Sequence, residues 1–454
     1  MSKIGNRSSS CSMNRWKSDL QISFGWYSVV VIATVVFFIY KYYFDATVLP
    51  LIAISLILAY GLIFSVPPMT ILMFSIAFNT GTSILGSSPV MIVLSVVALY
   101  VFFTRRKGVA LYEIGIADIF LLYLLLRSVL DIVFVTSFSL FTFTLSLILL
   151  EYVVIQTETT SEIIRKSFLT YSVVLLLFGL MQIIDGKALY RWSPGGVVTQ
   201  ITGVYEPNFY ALYLLVALVV FLEYYRDFRI SSLLVILSST FMIFLTRSNT
   251  GLIAMSSVYV SLIVTQVVKT ISKLSIKGVL VLTLIGVCFL LFLLLFGEEM
   301  IIKISSSRLI SSAIAYHSTG DLNTFLSNRP DLWYDYLHSL KTKDVGILAV
   351  GERFAEPMYT RTSLEGAKYK YSHNTWLDII SWIGFIGLIL YIILIIKAIT
   401  ACSIAFERAS WFAIFSPFIF TMTLSMLSER VLWIILFLIL KRLAQYKRSV
   451  REGI

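Results

Sequence analysis

Charge is what this chain has least of. Only 13% of its 454 residues are Asp, Glu, Lys or Arg, while 58% are hydrophobic, more apolar side chain than a water-soluble core can use. That excludes a soluble enzyme and makes the chain a polytopic membrane protein. Histidine and cysteine are equally sparse, three of each. No His or Cys cluster has the spacing of a metal site and no Asp-x-Asp pair stands at an outer edge, so neither a metal nor another cofactor is expected. Cys11, Cys288 and Cys402 fall in the N-terminal tail, inside an apolar run and in a short basic loop. None lies in the large outer loop, and no disulfide is expected. The first 23 residues carry Lys3, Arg7, Arg15 and Lys17, and the apolar run after them lacks a small-residue cleavage pattern. They read as a cytoplasmic tail, not a signal peptide.

The net charge of +11 concentrates in short segments between apolar runs. This is the positive-inside signature and not a nucleic-acid patch, so no nucleic-acid partner is expected. Runs long enough to span about 30 Å as helix lie near 24–40, 47–65, 68–85, 88–104, 116–135, 138–154, 167–184, 207–224, 230–246, 250–268, 278–296, 375–396, 411–427 and 429–446. The expected fold is therefore an all-α bundle of about 12–14 transmembrane helices. With both ends cytoplasmic, Arg105, Arg106, Lys107, Arg165, Lys166, Arg226, Arg229, Lys269, Lys273 and Lys277 fall in inner loops, with Lys441, Arg442, Lys447, Arg448 and Arg451 in the C-terminal tail. Short outer loops keep only Lys41, Lys187, Arg191, Arg247 and Arg430.

Two outer segments exceed ordinary turns, 185–206 and 297–374. They divide the chain into a tail 1–23, a bundle 24–296 holding the first loop, the large loop 297–374, C-terminal helices 375–446 and a tail 447–454. In the large loop, Ile301, Ile302, Ile304, Leu309, Ile310 and Ile314 predict an interfacial amphipathic helix. Ser327 or Asn328 can cap a second helix with Pro330 in its first turn, and Leu332, Trp333, Tyr336, Leu337 and Leu340 share one face. This helix is expected over the bundle as a lid. The stretch from Gly346 to Lys370 shows no periodicity and is expected to be irregular.

Four blocks stand in order at outer edges: GVYEPNFYALYLL from Gly203, LTRSNTGLIA from Leu245, RPDLW from Arg329 and HNTWLDIISWIGFIGL from His373. Together they resemble the successive blocks of the O-antigen ligase and polymerase superfamily, over roughly the C-terminal two thirds of the chain. One block departs from the family: its turn usually reads Ser-Arg followed by a small residue, where this chain has Thr246, Arg247 and Ser248. The resemblance implies glycosyl transfer from an undecaprenyl-diphosphate-linked oligosaccharide, a GT-C-like bundle with a large, partly helical periplasmic loop, and an active site facing the periplasm at the inner membrane. His373 would take the proton of the attacking sugar hydroxyl, the role this histidine has in the family.

The chemistry suits the residue types. Breaking the anomeric bond leaves a lipid diphosphate, and arginine meets that charge with a planar fork that stays protonated. Arg247, Arg191 and Arg329 are the candidate diphosphate ligands, with Arg308 and Arg353 in reserve. Each has a plainer reading as an interfacial anchor, and Arg329 as a partner of Asp331 or Asp335. His373 has its own plain reading as a residue capping a helix start beside Asn374. Asn374 and Asp378 are candidate support, the latter for orienting the imidazole. Tyr205, Trp333, Tyr359, Tyr369 and Tyr371 could stack on sugars or simply pack at the interface. Within the membrane, Arg127 and Asp131 sit one helical turn apart and are expected to form a structural clamp rather than touch diphosphate.

Three functions follow from this reading. A polymerase would move the glycan onto the non-reducing-end sugar of a second lipid-linked repeat unit. A ligase would move it to lipid A core. A transporter would show internal repeats and polar residues at the midplane, which are not found here. Expected partners are the lipid-linked donor and acceptor, membrane lipid, a chain-length regulator and a flippase.

Overall fold

Lipid offers a polypeptide backbone no hydrogen-bond partner, so a chain this apolar must satisfy its amides internally. The computed structural model describes residues 8–43, 48–78, 89–104, 115–135, 137–187, 189–193, 196–203, 206–223, 229–271, 317–318, 320, 329–341, 343–352, 358–360, 368–370, 374–405, 416–422, 427 and 429–452. The first half runs α1 (Ser8–Tyr42), α2 (Val48–Ile63), α3 (Pro68–Ala77), α4 (Pro89–Thr104), α5 (Ile116–Val135), α6 (Ser139–Gln156) and α7 (Ser161–Ile184). An antiparallel hairpin of β1 (Leu189–Ser193) and β2 (Gly196–Gln200) leads to α8 (Pro207–Glu223), α9 (Arg229–Thr246) and α10 (Asn249–Ile271). Then come α11 (Arg329–Leu340), α12 (Val345–Val350), a second hairpin of β3 (Met358–Thr360) and β4 (Lys368–Lys370), α13 (Thr375–Ala405), a 3-10 helix η1 (Ser416–Met422) and α14 (Arg430–Glu452).

Segments Phe24–Tyr42, Ser139–Gln156, Ser161–Ile184 and Thr375–Cys402 are long and apolar enough to cross a bilayer, and shorter apolar helices accompany them. Phe102, Phe134, Phe241, Phe244, Ile389 and Ile396 stand exposed along the helices, a flank suited to lipid and unsuited to water. The protein is an all-α polytopic membrane protein bearing two small hairpins.

Most expected apolar runs coincide with helices. The run 278–296 and the amphipathic segment 301–314 lie outside the described residues. The run 411–427 differs: its described part is a 3-10 helix, not an α-helix. Pro417 supplies no N–H to a helical ladder there, and Ser416 and Thr421 are buried. The stretch expected to be irregular, 346–370, contains α12 and the β3–β4 hairpin. Elements of six and three residues are too short to leave a periodic signature.

The chain forms two compact units. The first holds α1, α2, α3, α4 and α7. Phe37, Phe38, Phe74, Phe78 and Phe178 pack together in its core, and Trp26 donates to Thr170 across α1 and α7. Gln182, at the end of α7, grips Gly203 through both its backbone N–H and its C=O. That pairing holds the start of the GVYEP block.

In the second unit α8 is the central helix, buried nearly all round from Tyr210 to Phe221. Its neighbour α9 turns small polar residues inward, Ser232, Ser239 and Thr246, and large apolar ones outward, Leu234, Leu237, Phe241 and Phe244. Small residues allow close helix approach where apolar burial gives no drive, as in lipid.

Candidate functional site

The turn between α9 and α10 is the first part of the site. It contains a single left-handed residue, Arg247, with φ 50°. A non-glycine residue there costs about 1–2 kcal/mol, so its surroundings must enforce it. They do so through hydrogen bonds on both flanks. Arg247 N–H reaches Phe244 O at 3.2 Å, the buried Thr246 hydroxyl donates to Ile243 O at 2.7 Å, and Ser248 N–H donates to Thr246 Oγ1 at 3.2 Å. Ser248 is then the N-cap of α10, its Oγ accepting from Gly251 N–H at 3.0 Å, the standard way to satisfy an orphan first-turn amide. The Arg247 side chain is exposed, with no hydrogen bond or ion pair among the described residues.

The EPN segment supplies the other wall. Ser248 donates its hydroxyl to Asn208 Oδ1 at 2.7 Å, and Asn208 Nδ2 donates to Glu206 Oε1 at 3.0 Å. Close packing of α8 on α10 makes this possible, since a Cβ on Gly251 would lie 2.7 Å from the Ala211 methyl. The GVYEPN and TRSNTG blocks are therefore two sides of one construction. Sequence reasoning found both blocks but assigned no role to Asn208 or Ser248.

The hairpin carrying Arg191 docks onto this turn. Ile201 N–H donates to Leu245 O at 3.2 Å, and Arg191 pairs with Val198 in the hairpin register. The side chain of Arg191 lies outside the described residues. Its backbone nonetheless belongs to the strand pair fastened beside Arg247.

The second part of the site is the start of α13. Asn374 is its N-cap, Oδ1 accepting from the N–H groups of Trp376 at 3.0 Å and Leu377 at 3.3 Å, while Nδ2 donates to Met422 O at 3.4 Å. The cap that the plain reading gave to histidine is made by its neighbour. His373 itself lies outside the described residues, one position before this cap.

Helix α11 starts at Arg329, whose side chain is also outside the described residues. It packs on α13 through Tyr336 and Leu340, with Leu348, Leu377 and Ile380 around them. This is the expected covering helix, but its buried face is narrower: Leu337 is exposed. Asp378 is fully buried under it, facing the Tyr336 hydroxyl at 3.5 Å. Burial, and then the Asp378 carboxylate, push the Tyr336 phenol far up, so it stays protonated and able to donate. The position found for Asp378 is the α11–α13 seam.

The two parts share a neighbour, because η1 touches α8, α10 and α13. Tyr213 on α8 donates to Glu429, just ahead of α14. The pairs Ile201–Leu245, Asn208–Ser248, Tyr213–Glu429 and Asn374–Met422 all join ends that the charge pattern assigns outside.

Beneath the second part, α13 is broken at Gly384, with φ 71° and ψ −179°. A break frees carbonyls that lipid cannot satisfy. Glu352 N–H bonds to Ser381 O at 2.7 Å. The Tyr123 hydroxyl donates to Ile383 O. Arg127, paired with Asp131, donates to the carbonyls of Val350, Gly351 and Glu352. The expected clamp is thus real, and what it clamps is the end of α12 against the break. Among the described residues no three His, Cys, Asp or Glu side chains come together as a metal site would require.

A comparison with curated proteins found no match. A family model, Wzy_C, described as O-antigen ligase, matches residues 230–392. That segment includes Arg247, Arg329, His373, Asn374, Asp378 and the Gly384 break, and it stops short of Arg191 and Asn208. Over residues 230–392 the chain is thus similar to the O-antigen ligase family.

Proposed function

We propose that the protein is a surface-polysaccharide polymerase of the inner membrane. In this reading it transfers a glycan from an undecaprenyl-diphosphate donor to the non-reducing-end sugar of a second lipid-linked unit, on the periplasmic side. The family match supports a membrane glycosyltransferase-like enzyme acting on lipid-linked oligosaccharide, and it weighs against a transporter. The observation that carries the chemistry is Arg247, an exposed guanidinium held in a left-handed conformation with no partner among the described residues. Strain of this kind persists where the surroundings enforce it, and it clusters at functional sites.

In the proposed step the anomeric C–O bond breaks and its electron pair passes to the diphosphate oxygen. Arg247, with Arg191 and Arg329, stabilises that charge without a metal. The acceptor hydroxyl oxygen forms the new bond from the opposite face, inverting the centre, and its proton goes to His373. Asn374, as cap of α13, fixes the backbone next to that imidazole. Asp378 holds α11, and with it the backbone of Arg329, against the same helix.

A ligase is the second reading, favoured by the description of the matched family. Deleting the gene separates them. Lipopolysaccharide left with one repeat unit supports the polymerase, and bare core with accumulated lipid-linked chains supports the ligase.

A further inference from the structure

We infer that Asn208 is a positioning residue for Arg247, acting through Ser248; this rests on the proposed role of Arg247. Arg247 is the single left-handed residue of the α9–α10 turn, between a helix end and a helix cap, so its direction depends on where Ser248 is held. Ser248 is 3% exposed and fully committed. Its N–H is bound to Thr246, its oxygen accepts from Gly251, and its hydroxyl proton has one described acceptor, Asn208 Oδ1. Asn208 is oriented in turn by Glu206, which accepts from Nδ2 and so fixes which amide atom faces Ser248. The ordering Glu206, Asn208, Ser248 thus runs from α8 to the residue next to Arg247. No member of the chain needs to touch substrate.

The consequence is a dependence that packing alone would not give. Losing the Asn208 acceptor frees the Ser248 side chain and lets Arg247 leave its left-handed well for a more common conformation. The guanidinium then meets the leaving diphosphate less often, which lowers kcat more than it raises KM. A loss of about tenfold is expected, the effect of one hydrogen bond.

The test is a cycle on the full-length protein in lipid nanodiscs, reading release of polyprenyl diphosphate from a lipid-linked oligosaccharide. Asn208→Ala is expected to lower kcat about tenfold in the wild-type background and to change nothing further beside Arg247→Ala, because the group it positions is gone. An equal loss in both backgrounds overturns the inference and makes Asn208 a substrate contact or a purely structural residue. Should Asn208→Ala fail to fold, Ser248→Thr and Ser248→Ala replace it. The threonine keeps hydroxyl and cap and is expected to retain activity, whereas the alanine is expected to lose it only when Arg247 is present. If Arg247→Ala itself turns over like wild type, the proposed function fails first, and the two failures are told apart.

Discussion

The hydroxyl of Tyr123 on α5 donates to the Ile383 carbonyl, next to the break in α13 at Gly384. One phenol thus satisfies a carbonyl beside the break, while the end of α12 lies against Gly384 and is held by Arg127.

Gly384 has no room for a side chain. A Cβ there would lie 2.2 Å from Ala349 O, at a φ of 71°. Gly384→Ala is expected to destabilise the protein by at least about 2 kcal/mol, from backbone strain and displacement of α12. Thermal unfolding in detergent measures this, and a variant as stable as wild type would show that α12 does not sit in the break.

Arg127→Met leaves Asp131 buried and uncompensated, a loss on the order of 3–5 kcal/mol. The double variant Arg127→Met, Asp131→Leu removes the stranded charge but not the three carbonyls that Arg127 also holds. It is therefore expected to recover only part of that loss, as read by denaturation midpoints. Full recovery would mean that the carbonyl contacts contribute little.

Arg247→Gly should separate stability from activity. Glycine adopts a positive φ freely, so relief of strain is expected to raise stability by about 1 kcal/mol while turnover collapses. A drop in both would indicate that the arginine is structural.

Asn374→Ala is expected to cost about 1 kcal/mol, the usual value of an N-cap, whereas Asn374→Asp keeps the two cap bonds and most of the stability. The difference in melting temperature between these variants checks the cap assignment.

The helices were legible in the sequence because apolar length alone specifies them, as Ser161–Ile184 and Pro207–Glu223 show. The break in α13 was not: WIGFIGL reads as an unbroken apolar run, and only the approach of Ala349, from far along the chain, distinguishes Gly384 from Gly387. Likewise Arg247 was recognisable as a cation in a very short turn, but not as a strained one. Its support comes from Asn208, on a different helix, and no local pattern records that pairing. Sequence distance puts Asp378 near His373, but nothing local records that Tyr336, from another helix, packs over the same carboxylate.

The most direct test is the rate at which purified protein releases polyprenyl diphosphate from a lipid-linked oligosaccharide, compared for wild type, Arg247→Ala and His373→Ala. Each variant is expected to fall by about 100-fold or more, the usual loss of a charge-stabilising donor or a general base, with folding retained. Wild-type release by both variants would contradict the proposed chemistry.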